Sequence, residues 1–218
     1  MASNSSYTHY HIHEKRGKKA VDDAGILPEF KGTAVHDNWA TYYMYEDCTH
    51  ATCNVHHLRE LRAMTEIHKQ QWAGEMTQLL LDAKTYSETN TYPLSEQAID
   101  DFTREYDAIV ARGQAENLGK TRVDSKAAAP LLKRFVSRQE EVLEFLHQKD
   151  VPFDNNLAER DVRMVKVKQK VSGTFRCADG AKHFARTRGA ISTFKKQGLD
   201  VLASLLGVID GSNPLPIT

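Results

Sequence analysis

A helix that reaches Pro152 has to stop, because proline removes a backbone donor and biases the preceding residue out of helical geometry. Asp154, Asn155 and Asn156 follow, and their short side chains can cap a new start, so the pattern predicts a helix from Leu157 towards Lys170. At about 100° per residue, Ala158, Val162 and Val165 share a face that should pack inward. Glu159, Arg163, Lys166 and Lys170 make the neighbouring stripe. A first-turn carboxylate followed by cations at successive turns suits a site where a metal ion meets a phosphate backbone. The same letters also spell a capping box, Asn156-x-x-Glu159, and an ordinary i, i+4 ion pair, Glu159 with Arg163.

Charge then becomes one-sided. From Arg160 to Lys196 the basic residues are Arg160, Arg163, Lys166, Lys168, Lys170, Arg176, Lys182, Arg186, Arg188, Lys195 and Lys196, against Asp161 and Asp179, in a chain whose formal net charge is +0. A solvated helix face mixes signs, whereas such segregation is the electrostatic footprint of a nucleic-acid partner.

The 218 residues, 40% hydrophobic and 27% charged, suffice for one good core or two small ones. The apolar run Val201–Ile209 is far shorter than the roughly 20 residues a membrane span needs, and the polar start MASNSS does not read as a secretory signal. A cytoplasmic protein is expected. Cys48, Cys53 and Cys177 are few and irregularly spaced, which fits reduced thiols.

Along the chain, residues 8–13 alternate as a strand with His9, His11 and His13 on one side, a polar sheet face or a metal site. Lys18 to Ala24 reads as a short helix ended by Gly25. A strand over Thr33 to His36 should deliver Asp37 at its carboxyl end, where ligands collect in parallel α/β sheets, although Asp37 also suits an N-cap. Trp39 to Tyr43 is read as a helix start, and Ala51 to Val55 as a buried strand. Cys53-x-x-His56 with Cys48 nearby admits a zinc reading, without a second half-site. The stretch 58–150 is wholly helical in pattern: Leu58–Lys84, Glu96–Glu116, and Ser125–Gln148 with Leu131, Leu132, Phe135, Val142, Leu143 and Leu146 facing inward. The middle helix is acidic, either a solvated face or a docking surface. Gly180 to Lys196 forms a basic helix, Leu199 to Ile209 a short apolar one that should cover the core, and the tail frays.

The blocks HDNWATYY, CNVHHLREL, PFDNNLAERDVRMVKVKQKVSGTFR and GAKHFARTRGAISTFKKQG resemble the transposase of the IS66 group of bacterial insertion sequences, from Thr8 to Leu206. The resemblance implies an α/β fold with a ribonuclease-H-like core and an all-α helical insertion: 1–57 as the first part of the core, 58–150 as the insertion, 151–210 as the returning core helices, and 211–218 as a tail. It implies DNA transposition by strand cleavage and transfer, with two Asp and one Glu binding Mg²⁺ or Mn²⁺. By matching motifs Asp37 takes the second acidic position and Glu159 the third. Arg160, Arg163, Lys166, Lys168, Lys170, Arg176, Lys182, Arg186 and Arg188 become the expected DNA contacts.

The family's first Asp lies on an opening strand that these residues do not match, so a truncated and catalytically incomplete transposase is expected, with weak metal binding. Two-metal phosphoryl transfer holds its ions roughly 3.5–4 Å apart, which two protein acids do not readily achieve. An incomplete sheet would also leave an unpaired edge, which favours self-association. The competing reading is a non-catalytic DNA-binding or transposase-interacting protein. A cytoplasmic, nucleoid-associated location follows from either, with no membrane partner.

Overall fold

A computed structural model of the chain describes residues 1–119 and 123–212, apart from the side chain of Asp124. The frayed tail expected at the end lies, from residue 213 on, outside the described residues. The fold is mixed α/β and mostly helical, and the strands of the described residues form two separate two-stranded sheets. Two compact units result: one joins residues 1–29 to 156–218, and the other is Phe30–Asn155. No helix of the described residues is long and apolar enough to cross a membrane.

The 30–155 unit opens with β3 (Thr33–His36), which pairs in parallel with β4 (Thr49–Thr52) in the register Thr33 to Thr49 through His36 to Thr52. Between them lies a 3-10 turn at Tyr42–Met44 in place of the expected helix start at Trp39. Five helices follow: α2 (Asn54–Glu66), α3 (Gln71–Thr89), α4 (Glu96–Asn117), α5 (Val123–Ser137) and α6 (Gln139–His147). The strand read over Ala51 to Val55 is therefore cut short, because α2 starts at Asn54, whose N–H donates to Phe153 O at 3.0 Å. The single helix expected over Leu58–Lys84 is broken between Ile67 and Gln70, where Lys69 takes a left-handed φ of 53°. Ser125–Gln148 is likewise two helices, parted at Arg138.

Their inward stripes meet in one core. Trp72, Met76, Leu80, Ile109, Phe135, Val142 and Leu146 are among its buried side chains, and the six apolar positions predicted between Leu131 and Leu146 are all buried. The Tyr106 hydroxyl donates to Phe135 O at 2.9 Å, so burying the phenol leaves no orphaned donor. Two acids of α4 are ion-paired within the unit: Arg112 reaches Glu105, and Glu75 of α3, at 2.7 Å each, and Asp101 pairs with Arg104.

The other unit contains the antiparallel hairpin β1 (Ala2–Ser3) and β2 (Thr8–His9), then α1 (Lys18–Ala24), a 3-10 turn at Leu27–Glu29, α7 (Asn156–Ser172), α8 (Ala178–Lys196) and α9 (Val201–Asp210). Gly25 ends α1 with a left-handed φ of 71°. The strand expected through His13 is regular only at Thr8–His9. α8 packs its Ala181, Ala185, Gly189, Ala190 and Phe194 face inward. A Cβ on Gly189 would come within 3.1 Å of Thr8 O, so glycine permits the hairpin's close approach. The apolar helix α9 departs from expectation. Its buried residues are the small Ser204 and Gly207, while Leu202, Leu206 and Ile209 are 68%, 54% and 82% exposed. Small residues allow the tighter packing on that side, which turns the larger side chains outward.

Candidate DNA interface and acidic residues

Helix α7 begins at Asn156 and is at most half-buried along its length. Ala158, Val162 and Val165 form its half-buried side, as their phase predicts, and Glu159 stands half-buried in the first turn. Arg160, Arg163, Lys166 and Lys170 are exposed, as are Arg176 in the following turn and Lys182 and Arg186 on α8. Among the described residues, none of these seven cations lies within ion-pair distance of a carboxylate. Lys168 and Arg188 are half-buried, and the Lys168 ammonium sits 4.7 Å from the centre of the Phe175 ring. The connection between the helices turns at Gly173, with φ of 69°, and Cys177 caps α8 by accepting from Gly180 N–H.

The basic run needs one correction at its end. Lys196 does not join the cationic surface: its Nζ lies 2.9 Å from Asp161 Oδ2, and it also donates to Thr8 Oγ1, Asn4 O and Tyr7 O. Ser3, Thr8 and Ser192 hydroxyls hydrogen-bond the Asp161 carboxylate at 2.8, 3.0 and 2.9 Å, and the Tyr10 hydroxyl donates to Asp161 O at 2.6 Å. The network fastens α7 to the hairpin and to α8. Burial alone would raise the Asp161 pKa, but the donors outweigh it and hold the carboxyl below its ordinary value.

The three histidines near the start keep one side, as alternation predicts: neighbouring rings stack at 6.5 Å (His9 and His11) and 6.2 Å (His11 and His13). His13 has both nitrogens engaged, Nε2 with Asp23 at 3.0 Å and Nδ1 at the backbone of Lys15. Cys48 donates to Tyr45 O, and Cys53 Sγ accepts from Asn155 N–H at 3.2 Å.

In the 30–155 unit, Asp37 is exposed immediately beyond the carboxyl end of β3, where the strand pattern placed it. What fixes the chain there is a polar cluster that the sequence did not disclose. Asn38, at a left-handed φ of 63°, donates its N–H to His36 Nδ1 at 3.2 Å. That leaves the His36 proton on Nε2, directed at His50 Nδ1 at 3.1 Å, and the His50 proton on Nε2, directed at Tyr45 O at 3.0 Å. The Asn38 side chain accepts from the Tyr43 hydroxyl at 2.6 Å and donates to His57 Nε2 at 3.1 Å. Burial, reinforced by His50, lowers the His36 pKa to about 4; burial, with Arg134 and His56, lowers that of His57 to about 3. These rings are neutral supports for the loop carrying Asp37. A strand-end histidine followed by Asp-Asn was the available signal, but the partners of His36 and Asn38 lie 14 and 19 residues further on.

Asp37 thus belongs to one unit, and Glu159 with the nine expected DNA contacts to the other. A family model described as transposase IS66 family matches residues 1–183. No curated protein and no solved structure matches the chain. The matched span includes β3 with Asp37, all of α7 and the first turn of α8, and takes in well over half of the sequence. The chain belongs to the IS66 transposase family.

Proposed function

We propose that this chain engages DNA through the exposed cations of α7 and α8, in the service of metal-dependent strand cleavage and transfer. The observation that carries the reading is the one-sidedness of that surface. Arg160, Arg163, Lys166, Lys170, Arg176, Lys182 and Arg186 are exposed and, among the described residues, not matched by carboxylates. On α4, by contrast, cations sit among the acids, Arg104 on Asp101 and Arg112 on Glu105. Leaving like charges together costs folding energy, and a polyanion that releases condensed counterions offsets that cost.

The carboxylates proposed to hold the divalent ion, in a ribonuclease-H-like core, are Asp37 and Glu159. Their donor set fits: carboxylate oxygens suit the hard cations Mg²⁺ and Mn²⁺. Such an ion, when bound, activates the attacking oxygen and stabilises charge on the leaving one. Asn38 and the His36 and His57 rings hold the strand-end loop so that Asp37 keeps its position without a large ordering cost at binding. Arg163 and Lys166 contact backbone phosphates of the bound DNA. Among the 218 residues these two acids are the ones that match the family's acidic positions, so the isolated chain should bind metal weakly and leave DNA uncut.

Two measurements on the 218-residue chain test the reading. Retention of duplex DNA at low salt supports it, and failure to bind any DNA removes it. Incubation of supercoiled plasmid with Mg²⁺ or Mn²⁺ should leave the plasmid intact; nicking that the Glu159→Gln variant abolishes would show the chain to be catalytically complete.

A further inference from the structure

Phe175, in the turn between α7 and α8, forms an aromatic pair with Phe184 in the second turn of α8. Phe175 and Phe184 lie 5.4 Å apart, tilted by 54°, and both are half-buried. Val171, four residues before Phe175, is 80% exposed, Arg176 beside it is exposed, and Lys168 rests over the Phe175 ring. A turn that only had to reverse the chain after Gly173 needs no aromatic residue on its surface. Flat rings interleaved with cations are instead the composition of surfaces that bind unpaired nucleotides: the rings take the base face, and the cations follow the backbone.

We infer that the Phe175 and Phe184 platform binds unpaired nucleotides of a DNA end, with Lys168 and Arg176 on the adjoining phosphates. The inference rests on the DNA-binding reading above and narrows its substrate to DNA with a single-stranded portion. Inside a duplex every base already stacks on its neighbours, so a protein ring gains nothing by approaching it. An unpaired base has a free face. It can displace the flexible Lys168 ammonium from the Phe175 ring, and the released cation then meets the phosphate of the same nucleotide, so attraction is exchanged rather than lost.

The test is fluorescence anisotropy of the 218-residue chain with a blunt duplex and with a forked duplex of equal phosphate count. The forked DNA should bind tighter on the order of tenfold. Phe175→Leu, which keeps apolar packing in the turn but removes the flat face, should erase that margin while leaving blunt-duplex affinity unchanged. Phe175→Trp should restore it. Equal affinity for the two DNAs, or a margin that survives Phe175→Leu, overturns the platform and leaves duplex binding standing. Absence of binding to either DNA overturns the DNA-binding reading and this inference with it.

Discussion

Lys196 Nζ lies 2.9 Å from Asp161 Oδ2, with side chains only 11% and 14% exposed, so the last turn of α8 is tied to the second turn of α7 by a nearly buried ion pair. Hydroxyls of Ser3, Thr8 and Ser192 complete the shell of the carboxylate. An acid two residues after Glu159 thus fixes how α7 is held within its own unit.

Replacing Asp161 by Asn leaves the Lys196 charge uncompensated and should cost about 2–3 kcal/mol in urea denaturation. The pH dependence follows from the sign of the shift. The folded-state pKa of Asp161 is depressed, so its contribution is full above the ordinary Asp value near 4 and is lost as pH falls through the lower folded value. The stability gap between wild type and Asp161→Asn should therefore be constant at neutral pH and narrow below about pH 4. A gap that widens in acid would contradict the assignment.

His57 and His36 work in the opposite sense. Their folded pKa values of about 3 and about 4 lie below the ordinary histidine value, so the unfolded chain takes up protons first. Stability is full above about pH 6.5 and should fall by about 1.4 kcal/mol per pH unit for each ring between pH 6.5 and 5. Urea midpoints across that range check the slope, and imidazole NMR titration should find both rings still neutral at pH 5.

Gly113 on α4 faces Trp72 and Leu132 so closely that an added Cβ would meet their side-chain atoms at 2.8 and 2.7 Å. Alanine gains up to about 1 kcal/mol of helix propensity, but overpacking costs about 1–3 kcal/mol, and the Trp72 ring that the Cβ would meet is 1% exposed. Gly113→Ala should lower the melting temperature by several degrees in a circular-dichroism melt.

Much of this architecture could be read from local chemistry. Lys18–Ala24 with Gly25, Thr33–His36, and the basic helix ending at Lys196 carry their own start and stop signals. The breaks at Ile67–Gln70 and Arg138 could not, since neither contains Gly or Pro and the apolar phase continues across both; tertiary packing, not propensity, decides them. The charge of the α7 and α8 surface was visible as composition. That Lys196 turns inward was not, because its partners Asn4, Tyr7 and Thr8 are nearly 190 residues away in sequence. The histidine cluster behind Asp37 was hidden for the same reason: its members are ordinary letters until the strands pair.

The most direct test of the DNA-binding account is the salt dependence of duplex binding by the wild type and by the triple variant Arg163→Gln, Lys166→Gln, Lys170→Gln. If these exposed cations neutralise phosphates, the slope of log K against log salt should shrink by about 0.9 per removed contact, or roughly 2.7 in all, with affinity falling across unrelated sequences alike. An unchanged slope in a folded triple variant would mean that DNA does not lie along α7, and the account would fail.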